Sequence, residues 1–233
     1  MTCVGAIAGA LSALVLAGAE PVVIATTVPH PPYAVLDAAG EITGFDRDVG
    51  DEVCRRAALS CDWVAVRFDV LLAGVASGDY DIAMAGIAVT PAREKLIDFT
   101  LPYDIGGNMA EFIGRPGAPA PDHARIAVLA GTIHEGHLRA TGRNLRSYGT
   151  AEAVLEALHD GTADLAFGIF GGDQLAALAD QGLTVQSSEQ VAHGGTAMAV
   201  CTGNDALRHQ LDAAIAAMLE DGTIDKIAGR WAM

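Results

Sequence analysis

Basic residues are in short supply in this sequence: 14 Lys and Arg face 29 Asp and Glu, a net charge of −15 over 233 residues. A surface so acidic repels phosphate backbones and anionic lipid, so no nucleic-acid partner is expected. It leaves the charge of a small ligand open, because a few local side chains set the potential inside a cleft. Long apolar runs are scarce too: beyond the first nineteen residues, no stretch approaches the length of a bilayer span. No Gly-x-Ser-x-Gly turn, phosphate loop or dinucleotide fingerprint occurs. His134 and His137 flank Glu135 without the His-Glu-x-x-His spacing of a zinc peptidase, so no metal and no cofactor is expected.

What is present begins with an uncharged leader. Residues 1–19 carry an apolar run from Ala6 to Leu16, and Ala17-Gly18-Ala19 fits the small-x-small pattern of a signal-peptidase site. The expectation is export to an extracytoplasmic, periplasmic compartment, with Glu20 as the new start, although no Lys or Arg precedes the run. Of the four cysteines, Cys54 and Cys61 flank a short segment. A disulfide there would stabilise by about 2.5 kcal/mol on the chain-entropy model, and an oxidising compartment would permit it; the alternative is two partly buried thiols. Cys201 reads as a small core residue.

Hydrophobic patterning predicts an α/β fold. Val22 to Ala25 reads as a strand, followed by a loop forced by Pro29, Pro31 and Pro32. Asp46 to Ala58 has helical spacing, Asp62 to Val66 reads as a strand, Phe68 to Ala76 as a helix stopped by Gly78, and Tyr80 to Gly86 as a buried strand. The same rhythm returns from Arg125 to Phe167, with helices over His134 to Thr141 and Thr150 to Leu158. Ser187-Ser188 and Gly106-Gly107 read as loops. Two connecting stretches, Leu101 to Gly114 and His193 to Cys201, place the second lobe as an insertion in the first. The organisation expected is residues 20–108 plus 195–233 as lobe one and 109–194 as lobe two, closed by helices over Asn204 to Leu219 and Thr223 to Trp231. The two connecting strands themselves would be the hinge.

Six short motifs then occur in order. Gly44-Phe45-Asp46-Arg47-Asp48, Gly78-Asp79-Tyr80-Asp81, Thr90-Pro91-Ala92-Arg93 followed by Asp98-Phe99-Thr100-Leu101-Pro102-Tyr103, Gly131-Thr132 with Glu135, Gly161-Thr162-Ala163-Asp164, and Asp221-Gly222-Thr223 together resemble the family 3 periplasmic amino-acid-binding proteins. The likeness runs from about Val22 to Trp231. The Cys54/Cys61 pair is similar to that of the lysine/arginine/ornithine- and histidine-binding members.

That resemblance implies a type II clamshell of two α/β lobes, with no covalent chemistry, which captures a ligand by lobe closure and presents it to ABC transporter membrane subunits. A monomer is expected. Arg93 is the first candidate ligand residue, since a guanidinium offers a carboxylate two parallel N–H bonds and stays charged. Pro91 suits the first turn of a short helix that Thr90 can cap. The resemblance adds backbone amides at Ala85, Gly86, Ala88, Thr132 and Ile133. Phe68 would cover the ligand's aliphatic stem, with His30 closing the opposite side.

The departures concern the ligand's ammonium group. The position where family members place an acidic partner, five residues after Asp164, is Ile169 here, and the first-loop acid of many basic-amino-acid binders aligns with Thr27. A buried ammonium without a carboxylate is costly, so either Asp173 or Glu135 takes over, or the ligand is not a standard amino acid. The alternative function is an enzyme on the same fold similar to the cyclohexadienyl dehydratases, with Glu135 or His134 as general acid.

Overall fold

The computed structural model describes residues 20–106 and 109–231. The leader expected over residues 1–19 lies outside the described residues, as does Gly107 of the expected loop. In chain order the elements are β1 (Val22–Thr26), β2 (Val35–Leu36), β3 (Ile42–Thr43), α1 (Phe45–Arg56), β4 (Cys61–Ala65), α2 (Phe68–Ser77), β5 (Ile82–Ala83), β6 (Asp98–Phe99), β7 (Met109–Gly114), β8 (Ile126–Leu129), α3 (Ile133–Ala140), β9 (Leu145–Tyr148), α4 (Ala151–His159), β10 (Leu165–Gly168), α5 (Gly172–Asp180), β11 (Thr184–Gln190), β12 (Ala199–Val200), α6 (Asp205–Glu220) and α7 (Thr223–Arg230).

They form two lobes, each a five-stranded mixed sheet sandwiched by helices. The first sheet runs β4-β1-β5-β12-β6 and the second β11-β7-β10-β8-β9. In the first, β1 lies parallel to β4 and β5, while β12 is antiparallel to β5 and β6. In the second, β8, β9 and β10 are parallel and β7 runs against β10 and β11. Every strand of the second sheet comes from the stretch between Met109 and Gln190, so it is inserted within the chain of the first. The chain passes between the sheets twice, and the two passages touch: Thr196 N donates to Asp104 O at 2.6 Å, and Tyr103 N to Thr196 O at 2.9 Å.

The period of two along each strand decides what each face packs against. On the first sheet, Ile24, Ile82 and Val200 point to one layer with Val49 and Val53 of α1, Leu211 and Ile215 of α6 and Ile227 of α7. Their small neighbours Ala25, Ala83 and Ala199 face Leu71 and Val75 of α2. The second sheet repeats the division, with Ile126, Val128, Leu165 and Phe167 on the α3 face and Ala127 and Ala166 on the face of α4 and α5. Alanine on one side lets a helix approach closely; branched or aromatic residues on the other fill a deeper layer.

Several motif residues have structural tasks. At Gly44 the backbone has φ +137°, and a Cβ would run into the Tyr33 backbone, so only glycine opens α1 here. Asp81 and Asp164 do the same work in the two lobes. Asp81 accepts from Val23 N at 2.8 Å and Asp164 from Arg125 N at 2.8 Å, each tying the turn before a strand to the start of its neighbour. Asp48 takes Arg230 and Trp231 at 2.9 Å each, clamping α1 to α7. Cys54 and Cys61 are joined as a disulfide. Cys201 is buried in the α2 layer, the core position its sequence suggests.

Three expectations need correction. The strand expected over Tyr80 to Gly86 shortens to Ile82–Ala83, because Gly86 takes φ +58° and gives its N–H to Asp46 instead of a neighbouring strand. Ser187-Ser188 lie in β11, a polar edge strand exposed along nearly its whole length, which carries no alternating pattern because neither of its faces is buried. The short helix expected after Thr90 is a run of turns, closed by Arg93 N to Thr90 O at 3.0 Å and Ile97 N to Arg93 O at 3.2 Å.

Candidate functional site

Between the lobes lies a cavity of about 110 Å³. That is several times the space one water needs and below the range of drug-sized pockets, a size for a small metabolite. Lobe one supplies the loop carrying His30 and Tyr33, the N-terminus of α2 at Phe68, and the stretch Gly86 to Arg93; the return passage adds His193 and Thr196. Lobe two supplies the turn before α3, the start of α4, and the loop from Phe167 to Gln174.

Arg93 is the central group. It is only 8% exposed, and no carboxylate pairs with it among the described residues. Its Nη1 donates to Ala88 O at 2.8 Å in its own lobe, and its Nη2 to Gly131 O at 3.0 Å in the other. The guanidinium lies 5.9 Å from the Phe68 ring centroid. Burial lowers its pKa to about 10, which still leaves it charged at neutral pH. A desolvated guanidinium facing only carbonyls and a π-face is a standing invitation to an anion.

Phe68 and His30 both line the cavity, as neighbouring rings and not from opposite sides. The His30 ring stacks on Tyr33 at 5.3 Å and meets Phe68 at 5.9 Å. Burial pushes the His30 pKa down to about 4, so its imidazole is neutral at pH 7. Gly86, Ala88, Thr132, Ile133 and Ile169 also line the cavity. The Gly86 amide is already taken, donating to Asp46 at 2.7 Å, and a Cβ at Gly86 would sit 2.9 Å from the Tyr33 ring. Thr132 uses its hydroxyl to cap α3, accepting from Glu135 N at 3.2 Å and donating to Leu129 O at 2.8 Å.

Three expected residues are not brought to the wall. Ala85 is fully buried in the α2 layer. Glu135 turns back along α3, where it binds Gly131 N at 2.7 Å, Ser147 at 2.6 Å and Arg139 at 2.6 Å. Asp173 is exposed in the first turn of α5, while its neighbour Gln174 reaches the cavity. Glu135 therefore holds the turn that presents Gly131 O and is spent as a ligand partner or a cleft acid.

Sequence reasoning missed much of the lining. Phe167 and His193 carry no local motif; only the convergence of three distant loops places them together. His134 was weighed as a metal ligand or an acid, whereas here its ring meets Phe167 edge-on at 5.7 Å and its buried Nε2 has no hydrogen-bond partner. Burial, with Arg93 and His30 nearby, drives its pKa down to about 3. No group of three metal-ligating side chains occurs among the described residues. Nor is any of their helices long and apolar enough to cross a membrane.

The chain matches the model of bacterial extracellular solute-binding proteins, family 3, over residues 22–233. It is similar to the ABC transporter arginine-binding protein 1 of Escherichia coli (strain K12), with 27% identity and 91% of each chain covered. A crystal structure of a periplasmic His/Glu/Gln/Arg/opine family-binding protein from Silicibacter pomeroyi in complex with lysine superposes with TM-score 0.81 at 32% identity, covering 90% of this chain and 96% of that one. An ancestral amino acid-binding protein described as a precursor of cyclohexadienyl dehydratase has TM-score 0.76 at 21% identity, covering 91% and 95%; at that identity the likeness shows the fold alone.

Proposed function

Because the chain belongs to family 3 of the bacterial extracellular solute-binding proteins, we propose that it captures an amino acid or a related carboxylate between its lobes for an ABC importer. The observation that carries this reading is Arg93, a buried guanidinium with no carboxylate partner among the described residues, set in an interlobe cavity. A ligand carboxylate supplies the missing counter-charge and can be gripped bidentately by the N–H donors the two carbonyls leave free.

Capture works by population shift. The ligand touches the Arg93 side and the α3–α4 side at once only when the lobes are together, so binding stabilises the closed arrangement. The lobes are taken as residues 20–108 plus 195–233 and residues 109–194, flexing where Asp104 and Thr196 pair. The closed protein acts as a monomer in the periplasm and hands its ligand to the transporter's membrane subunits. The binding relatives support this reading over an enzymatic one, and with Glu135 occupied by its own helix no carboxylic acid reaches the cavity wall.

A thermal-shift panel of amino acids, opines and other carboxylates tests the proposal. At least one carboxylate should raise the melting temperature of the native protein and leave Arg93→Ala unmoved. A panel that shifts neither protein, or shifts both equally, overturns it.

A further inference from the structure

The cavity is built for an anion and has nothing for a cation. Among the described residues its wall contains no Asp or Glu, and apart from its histidines Arg93 is its one ionisable cation. The carboxylates on the neighbouring elements stand off the wall. Asp46 is fully buried between Gly86 N at 2.7 Å and the Tyr103 hydroxyl at 2.9 Å. Glu111 accepts the Phe170 backbone amide and keeps its Oε2 buried without a hydrogen-bond partner, outside the lining. Glu135 is held by Gly131, Ser147 and Arg139, and Asp173 is exposed on α5. At the position that would offer an acid, Ile169 presents an apolar side chain. An α-ammonium placed here would sit near Arg93 with no counter-charge, which is costly in a desolvated site.

The polar groups that do face the cavity suit an oxygen. His134 lines the cavity, and its Nε2 is buried without a hydrogen-bond partner. The ring is neutral at neutral pH, so it can present either an N–H or a lone pair to a neutral polar group. His193 accepts Gly195 N at its Nδ1, 3.0 Å away, which leaves its Nε2–H as a donor. Phe68, Leu129, Val154, Phe167 and Phe170 supply the apolar stretches of the wall, with Tyr33, Thr132, Gln174 and Thr196 beside them.

Resting on the Arg93 reading above, we propose that the cleft selects carboxylates with an apolar body and an oxygen in place of the ammonium at C2, that is, 2-oxo or 2-hydroxy acids. Arg93 takes the carboxylate, His134 Nε2 takes the C2 oxygen, and the aromatic wall encloses the body.

Calorimetric titration of the full chain, dialysed free of co-purified ligand, tests this with matched probes. Phenylpyruvate, L-phenylalanine and 3-phenylpropionate share one body; 4-methyl-2-oxopentanoate, L-leucine and 4-methylpentanoate share another; L-arginine and L-lysine are the cationic probes. In at least one series the oxo acid should bind tenfold or more tighter than its amino acid and its deoxy acid, and tighter than arginine or lysine. His134→Ala should lower oxo-acid affinity to the deoxy-acid level and leave the deoxy acid within twofold, with the melting temperature of the unliganded variant showing that it is folded. Tighter Arg93-dependent binding of any of the amino acids overturns the proposal while sparing the Arg93 reading. If that binding is lost in Glu111→Gln, Glu111 is the ammonium partner. Absence of binding by every probe, or binding unchanged in Arg93→Ala, brings down both readings.

Discussion

The Arg93 side chain reaches from one lobe to the other, its Nη2 donating to the Gly131 carbonyl at 3.0 Å. The buried charge proposed to anchor the ligand thus also makes a contact between the lobes. Gly131 sits at φ +80°, and a Cβ there would lie 3.0 Å from the Cα of Asp69 in the facing lobe. Glu135 fixes the same turn through the Gly131 N–H at 2.7 Å. The geometry of closure is therefore concentrated in a few atoms around Gly131.

Gly131→Ala should weaken ligand binding about tenfold or more while leaving the unliganded fold largely intact. The left-handed backbone costs an L-residue about 1–2 kcal/mol, and the added methyl presses on the opposite lobe only when the two are together. Small-angle scattering with and without ligand checks this: the native protein should contract at saturation, and the variant should contract less.

Arg93→Lys should lower affinity roughly ten- to a hundredfold. The ammonium keeps the charge but loses the planar fork, and a charge-assisted hydrogen bond contributes about 1.5–3 kcal/mol. Arg93→Met should abolish binding without lowering the melting temperature of the unliganded protein, since a desolvated charge without a counter-ion costs the fold about as much as its two carbonyl bonds return. Calorimetry and thermal melts on the same samples decide both.

Asp46 should make stability fall as pH rises. Burial lifts its carboxyl from 3.8 to about 7, a cost only partly offset by Gly86 N and Tyr103 Oη. Between about pH 4 and 7 the folded chain keeps a proton that the unfolded chain has released, so unfolding becomes easier as pH climbs through that window and levels off above it. Urea denaturation at pH 5 and pH 7.5 should show higher stability at the lower pH from this group, by no more than about 4 kcal/mol. Asp46→Asn should reduce the difference.

The Cys54–Cys61 bridge closes a loop of sequence separation 7, for which the chain-entropy model gives about 2.5 kcal/mol. Cys54→Ser with Cys61→Ser should lower the melting temperature by roughly 5–10 °C, with ligand affinity within a fewfold of native. Scanning calorimetry of the double variant reads this directly.

Much of the lobe framework was legible because its determinants are local. The α1 helix announces itself through Val49 and Val53 one turn apart, and Gly78 stops α2 in a left-handed conformation. Arg93 was legible from its motif, as were Phe68 and His30 by resemblance. The β11 strand was not, because an exposed edge buries no alternating face. Glu135 misled for a different reason: its spacing is equally that of a helix cap, and the cap claimed its carboxylate. His134, Phe167 and His193 meet only through the tertiary fold, so no pattern along the chain could bring them together.

The central claim is that Arg93 holds a ligand carboxylate between the lobes. Its most direct test is a calorimetric double cycle, in which a carboxylate that binds the native protein is compared with its primary amide in native protein and in Arg93→Ala. The account predicts that the amide binds the native protein at least a hundredfold more weakly, and that the variant loses this preference. Equal binding of acid and amide by the native protein, or a carboxylate preference that survives in Arg93→Ala, would contradict it.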